Sequence, residues 1–275
     1  MGMFDGKVAI VTGSGRGIGR AVAESLAAQG AAVVVNDIDV DVAEQAAKEI
    51  GGRVAVFGGD LAADGAPEQL VDTAVRTFGQ LDIVVNNAGY TLDAPIHKMS
   101  DRDFQAMLDI HTVAPFRVLR AAAPHLREPA KAERAEGREV FRKVVNVSSV
   151  AGTMGNAGQA NYSAAKSAVI GMTKTLAKEW GQFKINVNAV AFGFVDTRLT
   201  VEKTGDTVVR VGDREVRYGI PRAMRDAIAA AIPLGRAATP QEAAGGVIFL
   251  CSPWSNYVHG QVLNITGGLS SGMDS

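Results

Sequence analysis

Val8-Ala-Ile-Val-Thr-Gly-Ser-Gly-Arg-Gly-Ile-Gly19 is a short apolar run that passes directly into a glycine-rich turn. Four apolar residues in succession suit a strand buried on both faces, as in a parallel sheet. Gly13, Gly17 and Gly19 let a chain turn tightly, approach a pyrophosphate and pack a helix against the sheet. A helix starting near Gly17 would aim its free amides at that phosphate. Ser14, Arg16 and Ile18, between the glycines, belong to the same candidate cradle. A glycine-rich turn alone is a weak signal; this one lies between a strand pattern and a helix pattern, the context it requires.

The next strand pattern, Ala32-Val-Val-Val-Asn36, ends at Asp37. An acid about 20 residues beyond such a turn can accept both hydroxyls of an adenosine ribose. It would also repel a 2′-phosphate, which favours NAD over NADP. Arg16 is the counter-signal, since its guanidinium could pair with that phosphate. Asp37 could instead be a helix cap or a solvated loop acid.

Further along, Asn161-Tyr-Ser-Ala-Ala-Lys166 puts Tyr162 and Lys166 four residues apart, on one face of a helix. Ser149 lies upstream. A free phenol titrates near ~10. A lysine cation about 4 Å away would favour the phenolate by roughly 4 kcal/mol at a dielectric of about 20, before desolvation opposes it. Ser149 would then hold a carbonyl or hydroxyl oxygen beside the phenol. A lone Tyr-x-x-x-Lys is common on ordinary helices, so its weight comes from the glycine-rich turn at the other end of the chain.

Strand and helix patterns alternate along the rest, with strands expected at 8–12, 32–36, 53–57, 83–86, 143–148, 185–191 and 262–265. Long helices are expected over 95–126 and 159–181. Such alternation indicates an α/β fold, a seven-stranded parallel sheet flanked by helices on both faces. The chain has 275 residues, 47% hydrophobic and 21% charged, which one domain spanning 1–275 accommodates. A formal net charge of −1 leaves no electrostatic footprint for nucleic acid. Cys251 is the single cysteine, so neither an intramolecular disulfide nor a cysteine zinc site can form, and no metal is expected. No apolar stretch reaches the ~18 residues of a membrane span, and Gly6 stands where a myristoylation motif needs serine or threonine. A soluble cytoplasmic protein with no membrane partner is the expectation. Two segments break the pattern. The charged stretch 127–143 reads as a solvated excursion, with a partner contact as the alternative. In 198–233, Lys203, Arg210, Arg214, Arg217, Arg222 and Arg225 are interleaved with acids, either as a salt-bridged lid or as contacts to an acidic acyl carrier.

These motifs, in this order, resemble the short-chain dehydrogenase/reductase family over nearly the whole chain. Thr12 to Gly19 matches the family's cofactor turn, Asp60-Leu61 its adenine-contacting dipeptide, and Asn86-Asn87-Ala88-Gly89 the segment flanking the cofactor after the fourth strand. Ser149, Tyr162 and Lys166 fall on its catalytic serine, tyrosine and lysine, and Val195-Asp-Thr197 on the stretch that contacts the nicotinamide carboxamide. The resemblance implies a Rossmann fold of order 3-2-1-4-5-6-7 and a substrate loop at about 198–233. It implies that Tyr162 acts as general acid in reduction and base in oxidation, while Lys166 also holds the nicotinamide ribose. It further implies a homotetramer, the two long helices and 263–273 packing against partner subunits. The sequence departs from the family at His111, where an asparagine usually supports a proton-relay water, and at Phe192, where proline is usual. Members similar to the peroxisomal hydroxyacyl-CoA dehydrogenases also carry that histidine. His111 is thus a candidate relay residue, or a packed core histidine. The run 152–162 resembles 3-oxoacyl thioester reductases. The expected activity is hydride transfer between NAD(H) and a 3-hydroxyacyl/3-oxoacyl thioester. An NADPH-dependent 3-oxoacyl-carrier-protein reductase, a steroid or small-alcohol dehydrogenase, and a catalytically idle nucleotide-binding redox sensor are the alternatives.

Overall fold

A computed structural model describes residues 2–202, 208–211, 214–217 and 219–269. The chain runs β1 (Val8–Val11), α1 (Gly17–Ala28), β2 (Ala32–Asp37), α2 (Val40–Ile50), β3 (Val54–Gly58), α3 (Ala66–Phe78) and β4 (Ile83–Asn86). It continues through α4 (Asp101–Leu108), a π turn (Asp109–Val113), α5 (Ala114–Ala135), β5 (Arg142–Ser149), α6 (Val150–Met154), α7 (Ala160–Trp180) and β6 (Ile185–Phe192). Then come β7 (Val208–Val211), β8 (Arg214–Arg217), α8 (Arg222–Ala231), α9 (Pro240–Cys251) and β9 (Val262–Ile265). Seven strands form one sheet in the order β3-β2-β1-β4-β5-β6-β9, and every pairing in it is parallel. This is the expected α/β Rossmann architecture in a single domain, with strand ends within one residue of those expected.

Strand alternation builds two cores. Ala9, Val11, Val33, Val35, Ile83 and Val85 face α1, α2 and α9, while Val8, Ile10, Ala32, Val34, Val84 and Val144 face α3, α5 and α7. The order reverses between β1 and β4. A crevice therefore opens beyond the carboxyl ends of these strands, the usual place for a ligand in an open α/β sheet.

Two expectations need correction. The helix expected over 95–126 is not continuous. A 3₁₀ turn at Ile96–Lys98 precedes α4, and the π turn separates α4 from α5. Pro115 supplies the reason, because it has no amide to donate to the carbonyl of His111 and its ring crowds that carbonyl, so the α-helical ladder opens there. Second, 127–135 is not a solvated excursion but the last turns of α5. Leu126 and Ala130 are buried, and Arg142 of β5 grips Glu133 with bonds of 2.7 and 2.9 Å, both side chains shielded from solvent. The 198–233 stretch, in addition, contains an antiparallel ribbon, β7 with β8, and then α8. Lys203 and the side chains of Arg210, Arg214 and Arg217 lie outside the described residues, as do residues 270–273 of the expected C-terminal interface.

Candidate functional site

Thr12 ties the turn after β1 to the end of β4: its Oγ1 accepts from the amides of Asn87 and Ala88, each at 2.9 Å. Asn87 answers with Nδ2 donating to the carbonyls of Thr12 and Gly13, at 2.9 and 3.1 Å. Gly13 has φ 61°, and a Cβ there would stand 2.7 Å from Ala88 Cα. A Cβ on Gly19 would meet Gly13 O at 2.3 Å. Both contacts leave room for nothing larger than glycine. The first turn of α1 has neither a side-chain cap nor an acid, so its amides remain available to an anion.

A cleft of about 230 Å³ opens over this turn. Gly13, Arg16, Gly17, Ile18, Gly19, Asp37, Asp60, Leu61, Asn87, Ala88, Gly89 and Thr197 all line it. Ser14 does not. It is buried, its Oγ donating to Val11 O at 2.6 Å and accepting from Asn36 N at 3.1 Å, so it stitches β1 to β2. Val195 is likewise in the core, paired with Ala238, and does not line the cleft. Sequence reasoning missed Asp39 and Tyr90 on the cleft wall. Asp39 stood within reach of the ribose-acid rule; nothing in the sequence singled out Tyr90.

At the ribose end, Asp39 caps α2 and leaves Asp37 free of that duty. Arg16 Nη2 lies 3.0 Å from Asp39 Oδ2, so the guanidinium is engaged by a carboxylate. These features fit an adenine dinucleotide: bare helix amides for a pyrophosphate, a glycine floor that a Cβ would fill, and an acid for ribose hydroxyls.

At the other end, Ser149 closes β5 and caps α6, accepting from Ala151 N at 3.1 Å. Tyr162 lies in the first turn of α7 and Lys166 one turn on. The Ser149 hydroxyl acts on the Tyr162 phenol in the direction that lowers its pKa. Lys166 Nζ sits 5.6 Å from the Tyr162 ring centroid and donates to Val147 O at 2.7 Å. The three side chains converge as expected, but the electrostatics do not. Burial pushes Tyr162 up to about 12, against the hydrogen bond from Ser149, and the charge of Asp93 pushes the same way. Burial brings Lys166 down to about 7. The expected lowering of the phenol by the lysine is reversed, because the phenol's own burial disfavours the phenolate more than its neighbours favour it.

His111 is 2% exposed on the π turn, its Nε2 2.7 Å from Tyr90 O and its ring edge-on to Tyr162 with centroids 5.0 Å apart. Burial first, then the charge of Lys166, hold it well below the ordinary histidine value. Titration near 6.5 is therefore corrected. Phe192 ends β6 inside the core, and Gly193 N bonds Ile265 O at 3.0 Å, so the chain path survives the missing proline.

α8 buries none of its side chains, and Arg225 from it pairs with Asp196 at 3.2 Å. A larger hollow, about 440 Å³, lies at the amino ends of β5 and β6 and holds none of the motif residues. Among the described residues, no group of three His, Cys, Asp or Glu could hold a metal, and no helix is long and apolar enough to cross a membrane.

A family model described as enoyl-(acyl carrier protein) reductase matches residues 13–270. A 3-oxoacyl-[acyl-carrier-protein] reductase of Thermotoga maritima is 36% identical over 269 residues, covering 97% of this chain and 98% of the relative. The short-chain reductase protein NovJ of Streptomyces niveus is 38% identical over 267 residues, covering 95% and 93%. Among solved structures, a 3-ketoacyl-(acyl-carrier-protein) reductase from Brucella melitensis complexed with NADH superposes with a TM-score of 0.82. Its identity is 29%, covering 97% of this chain and 99% of that one.

Proposed function

The chain belongs to the short-chain dehydrogenase/reductase family, and from that premise we propose that it moves a hydride between NAD(H) and the 3-oxoacyl/3-hydroxyacyl pair of an acyl thioester. The observation that carries this reading is the convergence of Ser149, Tyr162 and Lys166 beside a cleft whose far end is walled by Asp37. When bound, the cofactor supplies the hydride and, once oxidised, a cationic ring. The remaining tasks fall to the chain. Ser149 Oγ donates to the substrate carbonyl oxygen, and Tyr162 Oη gives its proton to that oxygen as negative charge develops. Burial keeps the phenol protonated at neutral pH, the form the reductive direction requires. In the reverse direction Tyr162 takes the proton back. Lys166, one turn along with its Nζ 5.6 Å from the phenol ring centroid, is the residue that would carry the counter-charge for the phenolate and meet the ribose hydroxyls once a cofactor is bound.

Two arguments support NAD over NADP. Asp37 lies at the ribose end of the cleft, and Arg16, the side chain that could have met a 2′-phosphate, is held by Asp39. The thioester substrate is supported by the relatives' named activity and by the run 152–162. Thr197 stays with the cofactor, on the cleft wall, and the stretch from Arg198 onward, with the ribbon and α8, would be the substrate side. Homotetramer formation is supported by the exposed Phe116 on α5 and by Trp254 and Tyr257 before β9, and light scattering should return a mass about four times that of the chain.

The deciding experiment is steady-state oxidation of NADH and of NADPH with acetoacetyl-CoA. Turnover with NADH ahead of NADPH is expected. Failure of both cofactors would overturn the enzymatic reading, and a preference for NADPH would overturn the cofactor assignment alone.

A further inference from the structure

His111 does not have the contacts of a proton carrier. A backbone carbonyl only accepts, so the 2.7 Å contact to Tyr90 O requires the hydrogen to sit on Nε2. In a neutral ring Nδ1 is then an acceptor; it is fully buried and has no partner among the described residues. The ionisable groups facing the ring are Lys166 and Tyr162 from α7 and the Tyr90 phenol from the segment after β4. Burial and the nearby lysine both disfavour a second proton on the imidazole. A ring whose one hydrogen is committed to a carbonyl cannot pass a proton onward without surrendering that bond.

Gly89 supplies an independent observation. An ideal Cβ built there would stand 2.0 Å from His111 Cε1, 2.6 Å from Nδ1 and 3.1 Å from Nε2, and these are its three nearest atoms. Gly89 is not among the glycines of positive φ, so its backbone conformation does not call for glycine. The imidazole does. Ring and glycine are thus complementary parts of one wall, and Gly89 and Tyr90 both line the cleft.

We propose that His111 is a positioning residue: a neutral imidazole that clamps Gly89 and Tyr90 into the cleft wall, with residue 89 glycine because the ring occupies its Cβ position. The clamp rests on the reading of this cleft as a nicotinamide site only for its consequence, cofactor affinity. Its own geometry is independent of that reading.

Two measurements test it. Long-range ¹H–¹⁵N spectra of protein labelled at its four histidines, with His111→Gln to assign the ring, should show the Nε2–H tautomer unchanged from about pH 5.5 to 8. Titration of His111 in that window, or the opposite tautomer, overturns the proposal. The second measurement is a double-mutant cycle read by thermal midpoint and NADH binding. Gly89→Ala should weaken binding at least about tenfold alone and several-fold less in the His111→Ala background. Additive costs overturn the clamp. If Gly89→Ala alone does not fold, a folded Gly89→Ala/His111→Ala protein supports the coupling, and a double variant that also fails to fold overturns it. Wild type that binds no NADH, with the tautomer and the thermal coupling as expected, would sink the cofactor reading and leave the clamp standing.

Discussion

Tyr162 packs its ring edge-on against His111, so removing only its hydroxyl isolates its chemistry from its packing. Tyr162→Phe should lower turnover by at least ~10²-fold, the low end for a positioned acid/base, while NADH affinity measured by fluorescence stays near wild type. Near-normal turnover would remove the phenol from the mechanism. Asp37→Ala should raise the NADP/NAD preference at least ~10-fold, about 1.4 kcal/mol, as the ratio of kcat/KM values for the two cofactors. Much at this scale was legible in advance, because glycines and carboxylates at fixed spacing leave few places to go once a strand and a helix flank them. Ser14 and Val195 were not. Their side chains are spent on β2 and on the core, and spacing carries no information about which way a side chain turns. The direction of the Tyr162 shift was equally invisible, since four-residue spacing reports a neighbour but not how far burial outweighs it.

Elements were read well wherever one hydrophobic period ran unbroken, and less well where a single residue interrupted it. Pro115 was visible in the chain; its effect falls four residues earlier, at His111, where the ladder opens. The end of α5 was misjudged because its charges looked solvated, while the partner of Glu133 is Arg142, on a strand whose position only the fold defines. β5 carries another such charge. Lys143 Nζ donates to Asn186 Oδ1 at 2.9 Å, Asn256 Oδ1 at 2.8 Å and Ser255 Oγ at 3.2 Å, joining β5 to β6 and to the turn before β9. Burial brings this lysine down to about 8 from an ordinary 10.5. Between those values the unfolded chain holds a proton that the native chain has shed, so the burial penalty is full below about 8 and fades as pH rises. Lys166 adds to the same slope from about 7 upward. Stability in urea should therefore increase from pH 7 to 9, and Lys143→Met should flatten part of that increase. A wild-type midpoint that falls over this range would refute the assignment. Cys251, pushed up to about 12 by burial, begins to oppose the trend above its ordinary value of 9.

For the molecule as a whole, alternation of strands and helices specified a parallel sheet, and the family resemblance supplied its order. Neither indicated the β7–β8 ribbon, whose residues lack the apolar run that marks a buried strand. The sheet and the ribbon region also differ in how they are held. Around Thr12, three strand ends share hydrogen bonds that reach from β1 to β4 and, through Asn36, to β2. α8 buries no side chain. The cleft floor and α8 should accordingly keep different time. In deuterium exchange, the amides of Asn87 and Ala88, bonded to a buried hydroxyl, should stay protected almost as long as the strands, and those of α8 should exchange within the earliest time points. Equal rates would mean that the floor opens together with α8. With the expected contrast, local opening would be confined to the α8 side, which could be altered without loosening the floor on which a dinucleotide would rest.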